Sequence, residues 1–139
     1  MRIRLKPLKE QTIVITGATS GNGLATAGEA VKRGAAVVLA ARNEEELQTT
    51  AEELRALGGR VAVCAADVAD EDSAERIADI AVREFGGFDS WVNDAAAATY
   101  GRVEEVTMED QRRIFDVNYH GLVMGSLIAS DSAYYIEMR

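Results

Sequence analysis

The run Thr16-Gly17-Ala18-Thr19-Ser20-Gly21-Asn22-Gly23 follows three consecutive apolar residues, Ile13, Val14 and Ile15, and opens a segment with helical spacing. This order describes a strand that turns into a helix around a phosphate. The three glycines answer three demands: a turn with positive φ, bare backbone for a pyrophosphate to approach, and close packing of the new helix on the strand. The first-turn N–H groups of that helix are unpaired and carry roughly half a positive charge, so an anion fits there. A mere tight turn would need neither the strand before it nor the helix after it. Gly17, Thr19, Ser20, Gly21, Asn22 and Gly23 are therefore candidate phosphate and nucleotide contacts.

The pattern repeats along the chain. Leu24, Ala27, Gly28 and Val31 recur at helical spacing, Gly34 stops that helix, and 35–41 is a second apolar run. Asn43 offers an N-cap with Glu46 three residues on, Leu47, Ala51 and Leu54 form the apolar stripe, and Gly58-Gly59 ends the second helix. A third strand is predicted over 60–66 and a third helix capped by Asp70, with Ala74, Ile77, Ala78, Ala81 and Phe85 on one face and Gly86-Gly87 closing it. A fourth strand is expected over 88–92. Thr107 with Asp110 starts a longer fourth helix, lined on one face by Ile114, Val117, Gly121, Met124 and Ile128. Apolar strands alternating with amphipathic helices indicate an α/β fold. The expectation is a partial Rossmann, doubly wound parallel sheet of order 3-2-1-4 with helices on both faces. It occupies residues 11–129, between a basic lead-in (1–10) and an irregular tail (130–139) that offers no fifth strand.

At 139 residues the chain suits one domain, which could bury about two thirds of its unfolded surface. Its net charge of −8, from 23 acidic and 15 basic residues, repels nucleic acid and anionic membranes, so nucleotide binding must be local. No stretch approaches the ~18 apolar residues of a membrane span. Arg2, Arg4, Lys6 and Lys9 read as a solvated lead-in rather than a signal segment, and a cytoplasmic location is expected. The single cysteine, Cys64, lies in an apolar run and reads as a small buried hydrophobe. His120 has no second His, Cys or carboxylate cluster at ligand spacing, so no metal is expected. Trp91 reads as core.

From residue 11 to about 128 the chain resembles the short-chain dehydrogenase/reductase family. The resemblance rests on the spacing of Gly17, Gly21 and Gly23, then on Asp67-Val68, on Asn93-Asp94-Ala95-Ala96 as a variant of Asn-Asn-Ala-Gly, and on Asn118 within Phe115-Asp116-Val117-Asn118. It implies that Asp67 and Val68 contact adenine, that Asn93 and Ala95 belong to the cofactor site, and that Asn118 is the remnant of a catalytic group. Arg42 marks the end of the second strand, where a carboxylate would bind the ribose hydroxyls of NAD. With Ala41 and Arg42 there, NADP is favoured and NAD is the less favoured cofactor, unless Arg42 is only a solvated charge. Asn22 replaces an aliphatic residue near the expected nicotinamide, and Asn tolerates the turn conformation. The extra carboxylate of Asp94 could accept bonds from backbone N–H groups.

The same resemblance implies hydride transfer between an alcohol and a carbonyl, with a Tyr whose proton transfer is tuned by a Lys four residues later and a Ser on the fifth strand. The only lysines are Lys6, Lys9 and Lys32, so no Tyr-x-x-x-Lys exists here; Tyr134 precedes Met138 and Tyr135 precedes Arg139 at that spacing. The sequence thus reads as the dinucleotide half of an NADP-dependent oxidoreductase, inactive alone. The alternative is a non-catalytic or vestigial dinucleotide-binding protein arising from truncation or a shifted frame. Either way, an open fourth-strand edge and the apolar Val117, Leu122, Met124, Leu127 and Ile128 invite self-association.

Overall fold

The computed structural model describes residues 6–131. Four parallel strands, β1 (Thr12–Thr16), β2 (Ala36–Ala41), β3 (Arg60–Ala65) and β4 (Ser90–Asn93), form one sheet of order β3-β2-β1-β4, the order expected from the sequence. β1 is central. Its register pairs Val14 with Val38 on one side and with Trp91 on the other. Among the described residues β4 pairs with β1 alone and so forms one edge of the sheet.

Alternate residues of each strand feed the two faces. Ile13, Ile15, Val37 and Leu39 pack with Ala27 and Val31 of α1 (Gly21–Lys32) and with Leu47, Ala51 and Leu54 of α2 (Glu44–Ala56). Val14, Val38, Ala40, Ala62 and Cys64 pack with Ile77, Ala78 and Ala81 of α3 (Ser73–Phe85) and with Phe88. Each fully buried Val, Leu or Ile contributes about 1.5–3 kcal/mol. Burial pushes the Cys64 thiol above its ordinary pKa, as suits a small apolar residue, although Arg76 acts against the shift. Trp91 is only half-buried, because it stands on the edge strand; it meets Phe88 edge to face at 5.5 Å.

Several expectations are corrected. The third helix is not capped by Asp70: it starts at Ser73, with Asp72 at the N-cap position. Asp67 causes the delay, since its side chain accepts the Ala69 N–H and its carbonyl accepts the Asp70 N–H, which closes a turn before any helix can start. The long fourth helix is three segments, α4 (Met108–Phe115), a π-helical turn (Asp116–Gly121) and α5 (Leu122–Ser130). The fully buried positions are Val117, Gly121 and Gly125, while Ile114, Met124 and Ile128 are half-buried. A spacing of four drifts by about 40° per step on an α-helix of 3.6 residues per turn, and the wider π turn takes up that drift. The capping box of Thr107 and Asp110 is formed as expected, as is the Asn43 cap of α2.

The lead-in is not simply solvated. Leu8 packs on the core, and Lys6 Nζ meets Asp89 Oδ1 at 2.7 Å. Arg2 and Arg4 lie outside the described residues, as do 132–139 of the expected tail. Asp89 also binds β1 twice: its Oδ2 accepts the Thr12 N–H at 2.8 Å and its own N–H donates to the Thr12 carbonyl. Thr12 is buried, so losing the carboxylate strands a buried donor. Asp89→Ala should lower stability by about 1–3 kcal/mol in urea unfolding, and Asp89→Asn by less. An unchanged midpoint would mean that Asp89 does not fasten the start of β1.

Candidate functional site

The carboxyl ends of all four strands open on one cleft of about 750 Å³, at the point where strand order reverses between β1 and β4. Open parallel sheets receive ligands in this position. Gly17, Thr19, Ser20, Gly21 and Asn22 form its base. Gly17 has φ 68° and Gly21 φ 53°. A Cβ on Gly17 would also stand 2.8 Å from the Ala95 Cα. Gly23 is helical, yet a Cβ there would strike the Gly17 carbonyl oxygen, so it lies beneath the cleft and lets α1 sit tight against the turn. Ser20 is the N-cap of α1 but its side chain makes no capping bond, which leaves the first-turn N–H groups to face the cleft. Asn22 lies in the first turn of α1 rather than in a left-handed conformation, and no non-glycine residue has positive φ among the described residues.

The opposite wall begins where β4 ends. The buried Thr16 hydroxyl accepts the Asp94 and Ala95 N–H groups at 3.2 and 3.3 Å, so β1 fixes the backbone that faces Gly17. The Asp94 carboxylate lines the cleft but accepts no hydrogen bond from the described residues; the anticipated bonds to backbone N–H groups are not made. Asn93 points elsewhere. Its Oδ1 accepts the Trp91 indole N–H at 2.9 Å and its Nδ2 donates to Ser126 Oγ at 3.3 Å, tying β4 to α5. Asn118 is exposed and lies outside the cleft lining: its Oδ1 accepts the Ala97 N–H and its Nδ2 donates to the Ala97 carbonyl, both at 2.8 Å.

The far end of the cleft is formed by Arg42 after β2, by Asp67 and Val68 after β3, and by two residues that sequence reasoning missed, Glu46 and Arg113. Arg113 donates to Asp67 Oδ2 at 2.7 Å. Partial burial pushes the Asp67 pKa up, but the Ala69 N–H, Arg113 and the nearby Arg42 outweigh it and hold the carboxyl below its ordinary value. The available signal for Arg113 was its place four residues before the core position Val117 on one helix face. His120 pairs with Asp116 at 3.1 Å, and among the described residues no group of His, Cys, Asp or Glu could hold a metal. The pair of hydrogen bonds from Asn118 to Ala97 carries a prediction. In Asn118→Ala the Ala97 amide should exchange faster with solvent by about fivefold, the loss of about 1 kcal/mol of local protection, while β1 amides keep theirs. Equal protection at Ala97 would show that the clamp does not order this loop.

Comparison with known proteins gives a consistent result. The family model of the short chain dehydrogenases matches residues 11–133. An uncharacterized oxidoreductase, YxnA of Bacillus subtilis, is 49% identical over 128 residues, 92% of this chain and 36% of that protein. L-sorbose reductase of Gluconobacter frateurii, solved with NADPH and L-sorbose, superposes with TM-score 0.78 at 31% identity over 84% of this chain and 45% of that one. A short chain dehydrogenase/reductase of Burkholderia phymatum, solved with NAD, gives TM-score 0.85 at 31% identity over 89% and 44%. The chain therefore spans less than half the length of each of these relatives.

Proposed function

The chain belongs to the short chain dehydrogenase family, and from that premise we propose that it is the dinucleotide-binding part of an NADP-dependent oxidoreductase that transfers hydride between an alcohol and a carbonyl. The observation that carries this reading is the uncapped amino terminus of α1 facing bare glycine backbone at the strand ends. In this reading Gly17, Thr19, Ser20, Gly21 and Asn22 take the pyrophosphate and the nicotinamide side, with Gly23 giving α1 its close approach. Ala95 supplies the facing wall, and Asn93 supports it through Trp91 and α5. Asp67 and Val68 take the adenine. NADP is chosen over NAD because Arg42 lines the cleft at the end of β2, where Ala41 offers no carboxylate to repel a 2′-phosphate. The nicotinamide supplies the hydride chemistry when bound; the chain's own residues bind and orient it.

A second reading, a dinucleotide-binding protein without catalysis, takes its support from Asn118, whose amide is spent on the Ala97 backbone. In this family reading Asn118 is what the chain keeps of the proton-transfer group. A cytoplasmic location is part of the proposal; no helix among the described residues is long and apolar enough to cross a membrane. Self-association is supported by the edge strand β4 together with the exposed Phe115, Tyr119, Leu122 and Leu127.

Three experiments test these readings. Titration followed by energy transfer from Trp91 should show NADPH binding, with no turnover of a carbonyl panel by the isolated chain; absent binding removes both readings, and turnover removes the second. Arg42→Ala should weaken NADPH roughly tenfold or more, the value of a charge-assisted bond, and leave NADH nearly unchanged. Equal losses would cancel the 2′-phosphate assignment. Light scattering should find dimers or larger species that dissociate on dilution, whereas a monomer at all concentrations would show that the β4 edge is protected.

A further inference from the structure

We propose that Arg113 is a positioning residue for base selection: it holds the Asp67 carboxylate in the orientation that accepts a hydrogen bond from the exocyclic amino group of adenine. The inference rests on the reading of the cleft as a dinucleotide site, and names what makes its far end selective. Asp67 is anchored at both oxygens. Oδ1 accepts the Ala69 N–H at 3.0 Å and Oδ2 accepts Arg113 at 2.7 Å. One anchor would leave the carboxylate free to rotate about its side-chain bonds; two anchors on different oxygens fix its plane as well as its position.

The two partners come from separate parts of the fold. Ala69 belongs to the turn that follows β3, whereas Arg113 is 46 positions beyond Asp67, on α4. Val117, four residues on in the π turn, is buried and lines the same cleft as Arg113, which places this side of the helix beside Asp67. Arg113 also lines the cleft itself. Arg42 acts on Asp67 only through its charge, without a hydrogen bond, so it cannot replace the orienting bond.

An ionised carboxylate has about four lone-pair sites, and the two anchors use two of them. A donor such as the amino group of adenine can take another. A carbonyl at the same place, as in hypoxanthine, meets only like partial charge. Arg113 keeps the carboxylate ionised and aimed, and its positive charge offsets the repulsion that a lone carboxylate would exert on the phosphates of the ligand.

The test compares NADPH with its hypoxanthine analogue by Trp91 fluorescence titration of the full 139-residue chain. The unaltered chain should prefer adenine by about tenfold or more, the value of a hydrogen bond to a charged group. Arg113→Gln should reduce that ratio to about threefold or less, and Arg113→Lys should restore most of it. Arg113→Met keeps the aliphatic stem and removes only the guanidinium, so it reads the same ratio if the Gln variant does not fold. Loss of affinity for both ligands at a constant ratio would mean that Arg113 merely stabilises the wall, and would overturn the inference. An unchanged ratio overturns it alone, leaving the dinucleotide site in place. NADPH binding without any adenine preference in the unaltered chain overturns both this inference and the adenine assignment at Asp67, and absent NADPH binding overturns the site itself.

Discussion

Just beyond β1 the backbone of Gly17 lies against the start of α1 and the end of β4, so closely that a side chain at either Gly17 or Gly23 would collide with backbone. The rest of the cleft depends on this contact. α1 can rise from the turn with its amino terminus exposed to an anion only because nothing but backbone separates it from β1. The wall built by Asp94 and Ala95 can approach the same turn only because Thr16, the last residue of β1, accepts both of their N–H groups. One strand end therefore sets both sides of the place where a phosphate would sit.

Charge is arranged around that point against the character of the whole chain. A molecule with net charge −8 has no long-range attraction for a dinucleotide, so the attraction must come from groups within a few ångströms. The α1 amino terminus, Arg42 and Arg113 supply it at the base and the far end of the cleft. Asp67 and Glu46 lie beside the two arginines, and Asp94 stands near Gly23. The local balance is thus set by individual placements, and small changes in side-chain direction alter what the cleft attracts.

What the sequence disclosed follows from how local each signal is. Runs such as 13–15 and 35–41 report burial on both faces of a strand, so a parallel sheet and its order were legible, as were caps made within four residues, at Asn43 and at Thr107 with Asp110. The glycine spacing pointed to the base of the cleft for the same reason. Features made between distant segments were not legible. The bond of Asp67 to Arg113 joins residues 46 positions apart, on the turn after β3 and on α4, whose proximity exists only in the folded chain. The delayed start of α3 depends on Asp67 spending its side chain on its own turn, which competes with the apparent cap at Asp70. The π turn was hidden because a buried spacing of four is shared by ordinary helices over short runs.

The position of Asn118 shows how the segment after β4 is held. Its amide spends one acceptor and one donor on Ala97, and it sits in the π turn, whose Val117 is buried and lines the cleft. The side chain is thereby committed to holding the segment that follows β4 against the helix, with Asn93 holding the strand itself against α5 through Ser126. Both asparagines act on shape. Among the described residues β4 pairs with β1 alone, so these two amides also set how the edge of the sheet is held.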